Sequence, residues 1–207
     1  MDARLKAQHI YDVLRSTFIG EGATRMMDDV YGAEEYSGFI DVLHRTEKNY
    51  TFLGAGNFST VWTDAEFDKE NKVLKVGTHR DQDAAFLYLL WAMVPANQAL
   101  PGVLKVYEVG KLGEDAYYAV IERLHGIDDD QYNAFYEDEE GDNRTPEYRT
   151  LEVIAEFFGG VAPTDVHDEN IMQRADGSLV LSDPLGWSTG STKQRVALEK
   201  RLMKKAA

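Results

Sequence analysis

Apolar residues Ile10, Val13, Leu14 and Phe18 recur at helical spacing, and Gly20 and Gly22 close that segment, so the chain is expected to open with a helix. A second helix is predicted over 34–47, with Phe39, Val42 and Leu43 on one side. From Tyr50 the pattern changes to short runs of β-branched and aromatic residues, 50–53, 59–62 and 73–76, separated by glycines, which predicts three strands. Residues 81–94 predict a helix that is apolar most of the way round and therefore buried. Two further strands are expected over 103–109 and 116–122, joined by a turn at Gly113. The predicted order is strand, strand, strand, helix, strand, strand.

The stretch 126–142 then holds eight acids, Asp128, Asp129, Asp130, Glu137, Asp138, Glu139, Glu140 and Asp142, and no Lys or Arg. It is expected to be a solvated loop, with docking on a basic partner as the lesser alternative. Thr145-Pro146-Glu147 carries a helix start: a capping hydroxyl, a proline at the first helical position and an acid suited to the dipole. Leu151, Ile154, Ala155 and Phe158 follow at i, i+3, i+4 and i+7, and Gly159-Gly160 stops the helix. A loop, two short strands around Asp176-Gly177 and a final helix bearing Lys193, Arg195, Lys200, Arg201, Lys204 and Lys205 complete the pattern.

Composition narrows the function classes. The 207 residues carry 36 acids against 22 Lys and Arg, a formal charge of −14. So acidic a chain lacks the basic footprint that nucleic acid binding through phosphates requires. Cysteine is absent, which excludes disulfide scaffolds, thiolate zinc sites and cysteine nucleophiles. Charged residues from Asp2 to Arg15 leave no signal-peptide core, and the longest apolar run, 84–94, stops at Pro95, well short of a bilayer span. A cytoplasmic protein without membrane attachment is expected. His9, His44, His79 and His125 are scattered, so no histidine metal site is expected.

Four segments carry candidate chemistry, each with an ordinary alternative. Gly54-Ala55-Gly56-Asn57-Phe58-Ser59 lies between two predicted strands, where it reads either as a glycine-containing hairpin or as backbone able to approach phosphate oxygens. Lys75 interrupts an apolar strand, either snorkelling from an edge or held over a nucleotide's phosphates, with Asp81 or Asp83 as its acid partner. Asp165-Val166-His167-Asp168-Glu169-Asn170 reads as turn chemistry or as a loop presenting a base and a metal ligand. Asp183 leaves an apolar strand just before a turn.

Their order and spacing resemble the protein-kinase superfamily. Gly54 through Val61 resembles its phosphate-covering loop and Val73-Leu74-Lys75 its strand lysine. Asp165 through Asn170 resembles the catalytic loop, and Asp183-Pro184-Leu185-Gly186 stands where the metal-binding Asp-Phe-Gly falls. Within that superfamily the chain is most similar to the early serine/threonine kinases of lytic podophages of the autographivirus type. Phe52-Leu53-Gly54, Val73 through Gly77, His167, Asn170-Ile171-Met172, Ser182-Asp183-Pro184 and Trp187-Ser188 carry that similarity, over roughly 52–188.

The resemblance implies an α+β, reduced kinase-like fold: an antiparallel five-stranded N-lobe with one helix (49–125), preceded by N-terminal helices (1–48), then a truncated C-lobe with the acidic insert (126–190) and a basic helix (191–207). It implies ATP and Mg²⁺ as cofactors and host proteins as substrates early in infection, in transcription and RNA processing, RNA polymerase being a candidate. Gly54, Ala55, Gly56, Asn57, Phe58, Ser59 and Val61 would cover the nucleotide, Lys75 would bind its phosphates with Asp83, and Glu122 and Leu124 would flank the adenine. Asn170 and Asp183 would hold the metal, Asp165 would take the acceptor's proton, and His167 would steady the γ-phosphate. Three departures stand out. No Glu lies in 81–94, only 24 residues follow Asp183, and a histidine two residues after the catalytic Asp is shared with small-molecule phosphotransferases. The alternatives are therefore a catalytically inactive kinase-like protein that binds and inhibits a host enzyme through its acidic surface, and a small-molecule phosphotransferase. Ser188, Thr189, Ser191 and Thr192 are candidate autophosphorylation sites by proximity alone.

Overall fold

Ala7, Ile10, Tyr11 and Leu14 stand at i, i+3, i+4 and i+7 of helix α1 (Ala3–Thr17) and are buried together as one stripe. The computed structural model describes residues 2–17, 49–56, 59–78, 84–114, 116–136 and 144–206, so the helix expected at 34–47 lies outside them. Two units make up the chain: Met1–Arg80 with Tyr107–Glu122, and Asp81–Val106 with Arg123–Ala207.

In the first unit, strands β1 (Thr51–Gly56), β2 (Ser59–Thr63), β3 (Lys72–Thr78), β4 (Val106–Leu112) and β5 (Ala116–Glu122) form an antiparallel sheet in the order β1-β2-β3-β5-β4. Strand alternation sends Leu74 and Val76 into the core with Trp62, Tyr118, Val120 and the α1 stripe. Val73, Lys75 and Gly77 consequently take the other face. Register shifts between Phe52 and Gly54, leaving Leu53 as a bulge residue, 39% exposed. A short helix, α2 (Ala65–Lys69), was not foreseen between β2 and β3; Asp64 caps it by accepting from the backbone N–H groups of Glu66 and Phe67.

In the second unit every residue of α3 (Ala85–Ala92) is buried, as its all-round apolar pattern predicts. Pro95 then starts a further short helix, α4 (Pro95–Gln98). The fourth strand begins at Val106, not at 103; Val103 instead forms an isolated parallel bridge to Leu181. The acidic stretch also departs from a plain loop, because 129–136 is helical (α5, Asp129–Tyr136). Asp128 accepts from the Gln131 backbone N–H at its start, Asp129 and Asp130 sit in the dipole-favoured first turn, and Phe135 is buried.

Helix α6 (Pro146–Phe158) is capped by Thr145, whose hydroxyl accepts from the Tyr148 N–H, and it buries Ile154 and Phe158. Strands β6 (Ile171–Gln173) and β7 (Leu179–Leu181) pair around Gly177, whose φ of 84° suits glycine. Helix α7 (Thr192–Ala206) packs on α3 through the buried Leu198 and Leu202, while the Arg201 guanidinium lies over the Phe157 ring. The α+β class and the five-stranded antiparallel sheet are those expected. Among the described residues, no helix is long and apolar enough to cross a membrane.

Candidate active site

On the sheet, Gly56 pairs with Ser59 and Ala55 with Thr60, so Gly54-Ala55-Gly56 and Ser59 form the two arms of one hairpin. Asn57 and Phe58, at its tip, lie outside the described residues. A Cβ at Gly54 would meet nothing within 4 Å, so internal packing does not demand glycine there, and the backbone is open to approach from outside. Val61 pairs directly with Lys75, and Lys75 with Ala119. Directly paired residues share a face, so these three side chains line the face opposite α1. Lys75 is only 8% exposed. Buried Glu122 ends β5 opposite Lys72. Asp83 and Asp81, offered as acid partners of Lys75, fall outside the described residues.

The second unit brings Asp165, His167, Asn170 and Asp183 into one connected loop system. Leu124, half-buried, lies in the same unit. Asn170 ends a 3₁₀ turn (Asp168–Asn170), and its Nδ2 donates to the Asp165 carbonyl at 2.8 Å. The same Nδ2 lies 2.9 Å from His167 Nε2. With one amide hydrogen on each acceptor, His167 Nε2 carries a lone pair, and the imidazole proton sits on Nδ1, 3.6 Å from Asp168 Oδ1. This leaves Asn170 Oδ1 as the amide's ligand atom. Ser182 links the loops, since both its N–H and its hydroxyl donate to the Asn170 carbonyl, at 2.9 and 3.1 Å. Residue 183 is thereby held beside residue 170, with Asp183 Oδ1 buried from solvent.

The strand behind Asp183 is itself anchored. The Tyr88 hydroxyl donates to the Leu181 carbonyl at 2.5 Å and accepts from the Leu104 N–H at 3.4 Å. Beyond Asp183 the chain runs as a ribbon along 161–165. The Asp165 N–H donates to Pro184 O, the Gly186 N–H to Pro163 O, and the N–H groups of Thr189 and Gly190 to Val161 O. Thr164 and Leu185 are bridged antiparallel. A Cβ on Gly186 would lie 3.1 Å from Asp165 Cβ, tighter than ordinary contact. Ser188, one of the candidate phosphosites, is buried and donates to Val161 O at 2.8 Å. Behind the catalytic-type loop, the Tyr136 hydroxyl lies 3.5 Å from the Val166 carbonyl; burial, then a hydrogen bond with Tyr132, pushes that phenol up to about 12.

Mg²⁺ takes hard oxygen ligands and is commonly held by one or two protein groups, waters and substrate phosphates. A carboxylate and an amide oxygen on loops tied together by Ser182 fit that requirement. No cluster of three or more His, Asp or Glu ready to hold a metal occurs among the described residues, which leaves the remaining positions to phosphate and water. Sequence reasoning found the four polar residues by spacing. It named Ser182 and Gly186 as motif members without the contacts they make, and it missed Tyr88, because a strap, a close approach and a buried hydroxyl bridge have no local signature.

No curated protein matches the chain. Among solved structures it is similar to the kinase PK-1 of Cydia pomonella granulovirus, at 13% identity and a TM-score of 0.40, over 70% of this chain. The chain spans 57% of the length of that viral kinase chain. The sequence model of the family described as bacteriophage T7 protein kinase 0.7 matches residues 21–204, nearly the whole length, and the chain belongs to that family.

Proposed function

We propose that this protein transfers the γ-phosphate of ATP to serine and threonine hydroxyls of host proteins in a Mg²⁺-dependent reaction. The observation that carries the reading is the Ser182 strap: it holds the amide of Asn170 and the carboxylate of Asp183 on adjacent loops, with Asp165 on the same loop as Asn170. Phosphoryl transfer needs alignment and charge neutralisation more than covalent help. Lys75 binds the α- and β-phosphates. Asn170 Oδ1 and Asp183 would hold the metal, whose chemistry when bound would be neutralisation of phosphate charge. Asp165, exposed and fixed through its backbone, orients the acceptor hydroxyl and takes its proton as the new oxygen–phosphorus bond forms and ADP leaves. His167, bonded to Asn170, keeps that amide's oxygen turned to its ligand role.

The test is transfer of radiolabelled γ-phosphate from Mg·ATP into a host lysate, wild type against Asp183→Ala, with modified sites mapped by mass spectrometry. Labelling of serine and threonine that disappears in the variant is expected. No protein labelling, together with no Mg·ATP-induced rise in melting temperature, overturns the enzyme reading.

A further inference from the structure

We infer that Tyr88 is a positioning residue for Asp183: its buried hydroxyl fixes the end of β7 from which that carboxylate extends, and so sets how tightly the site takes Mg²⁺. The inference rests on the metal role proposed for Asn170 and Asp183. Every residue of α3 is buried, and of its eight side chains only Tyr88 and Trp91 carry a polar atom. Tyr88 is 0% exposed, a position that a phenylalanine ring would fill with no polar group to satisfy. A buried hydroxyl calls for partners, and those of Tyr88 include two backbone groups.

Both groups belong to the bridge that holds β7 from behind. Val103 and Leu181 are paired in parallel, and the Leu181 N–H donates to the Gly102 carbonyl at 2.8 Å. At the other end of the same bridge the Tyr88 hydroxyl accepts from the Leu104 N–H at 3.4 Å and donates to the Leu181 carbonyl at 2.5 Å. That carbonyl shares one planar peptide unit with the Ser182 N–H, which donates to the Asn170 carbonyl at 2.9 Å. A single rigid plane therefore carries the Tyr88 contact on one edge and the tie to the Asn170 loop on the other, and Asp183 follows one residue later. Leu104 and Leu181 are buried, so water cannot stand in for the hydroxyl. Without it the carbonyl is either left unsatisfied or drawn onto the Leu104 N–H. Each outcome turns the 181–182 plane and with it the spacing between Asn170 and Asp183.

The experiment titrates Mg²⁺ into the full chain bound to a non-hydrolysable ATP analogue and follows the rise in melting temperature, for the wild type and for Tyr88→Phe. The half-saturating Mg²⁺ concentration is expected to be roughly three- to tenfold higher in the variant, less than the roughly ten- to hundredfold that follows loss of a group bonded directly to a metal ligand. Affinity for the analogue without Mg²⁺ should stay within about twofold of wild type. A role confined to stability would lower the melting temperature throughout and leave the Mg²⁺ midpoint in place. A measurement on the wild type alone reaches the same decision. Adding Mg²⁺ to the analogue-bound protein should slow hydrogen exchange at the Leu104 and Leu181 amides about threefold more than at Ile10 in α1, because a metal that fixes Asp183 also fixes the bridge behind it. An unmoved Mg²⁺ midpoint, or slowing no greater than at Ile10, overturns the role of Tyr88 and leaves the kinase reading standing. No Mg²⁺-dependent response in the wild type, together with no transfer to any lysate protein, overturns both.

Discussion

Glycine at 186 lets the ribbon come closer to Asp165 than any other residue permits. A methyl group there would sit 3.1 Å from Asp165 Cβ, and Asp165 is tied at its N–H to Pro184 and at its carbonyl to Asn170, so relief comes from shifting the aspartate by a few tenths of an ångström. Displacements of about an ångström can cost a hundredfold in rate, so Gly186→Ala is expected to lower single-turnover transfer by roughly tenfold. Its melting temperature should stay within a few degrees of wild type; a full rate with unchanged stability would contradict this. The polar members of the site, Asp165, His167, Asn170 and Asp183, are legible in the sequence because their chemistry and their spacing coincide. Gly186 could be placed by its motif, but its contact with Asp165 could not. That contact joins residues 21 positions apart through backbone geometry alone.

Helix α1 shows what an element contributes beyond its own pattern. Its apolar stripe was readable from Ile10, Val13 and Leu14, yet nothing local signals that Lys6 is buried at 3% exposure between Asp64 at 2.6 Å and Glu66 at 2.8 Å, with its ammonium over the Phe67 ring. The partners lie some 60 residues apart in sequence, and α2, whose cap Asp64 is, is too short to announce itself by periodicity. Burial pulls the Lys6 ammonium down, but the two carboxylates more than reverse this and hold it above 10.5. Burial likewise raises the Asp64 carboxyl, while Lys6 and the N–H groups of Phe67 and Glu66 bring it below 3.8 overall. The raised lysine contributes stability below its unfolded value and loses it as pH rises through the folded one. The lowered aspartate contributes above its unfolded value and loses that as pH falls through the folded one. Lys6→Met is therefore expected to cost on the order of 3 kcal/mol in urea unfolding near neutrality. The difference from wild type should be flat between about pH 5 and pH 10 and shrink outside that window. A difference that varies across the neutral range would contradict the pairing. Of the strands, those at 59–62, 73–76 and 116–122 were readable to within two residues, whereas the first runs three residues beyond 53 and the fourth lies three residues later than 103–109, Val103 having left the sheet for Leu181.

For the molecule as a whole, the ribbon over 184–190 fixes the segment that follows Asp183. Backbone hydrogen bonds to 161–163 hold it, Ser188 is closed off beneath it, and a Cβ on Gly190 would press on Val161 Cα at 3.1 Å. Phosphorylating Ser188 would require the ribbon to lift. Treating freshly purified protein with a broad-specificity phosphatase, then removing it, is accordingly expected to leave the initial transfer rate unchanged within about twofold, since no ordering step awaits a phosphate. A lag that shortens as the protein labels itself would contradict this. On the proposed function, a segment already fastened in this way needs no added phosphate to order it, so the amount of transfer is expected to scale with the number of copies present from the moment each has folded.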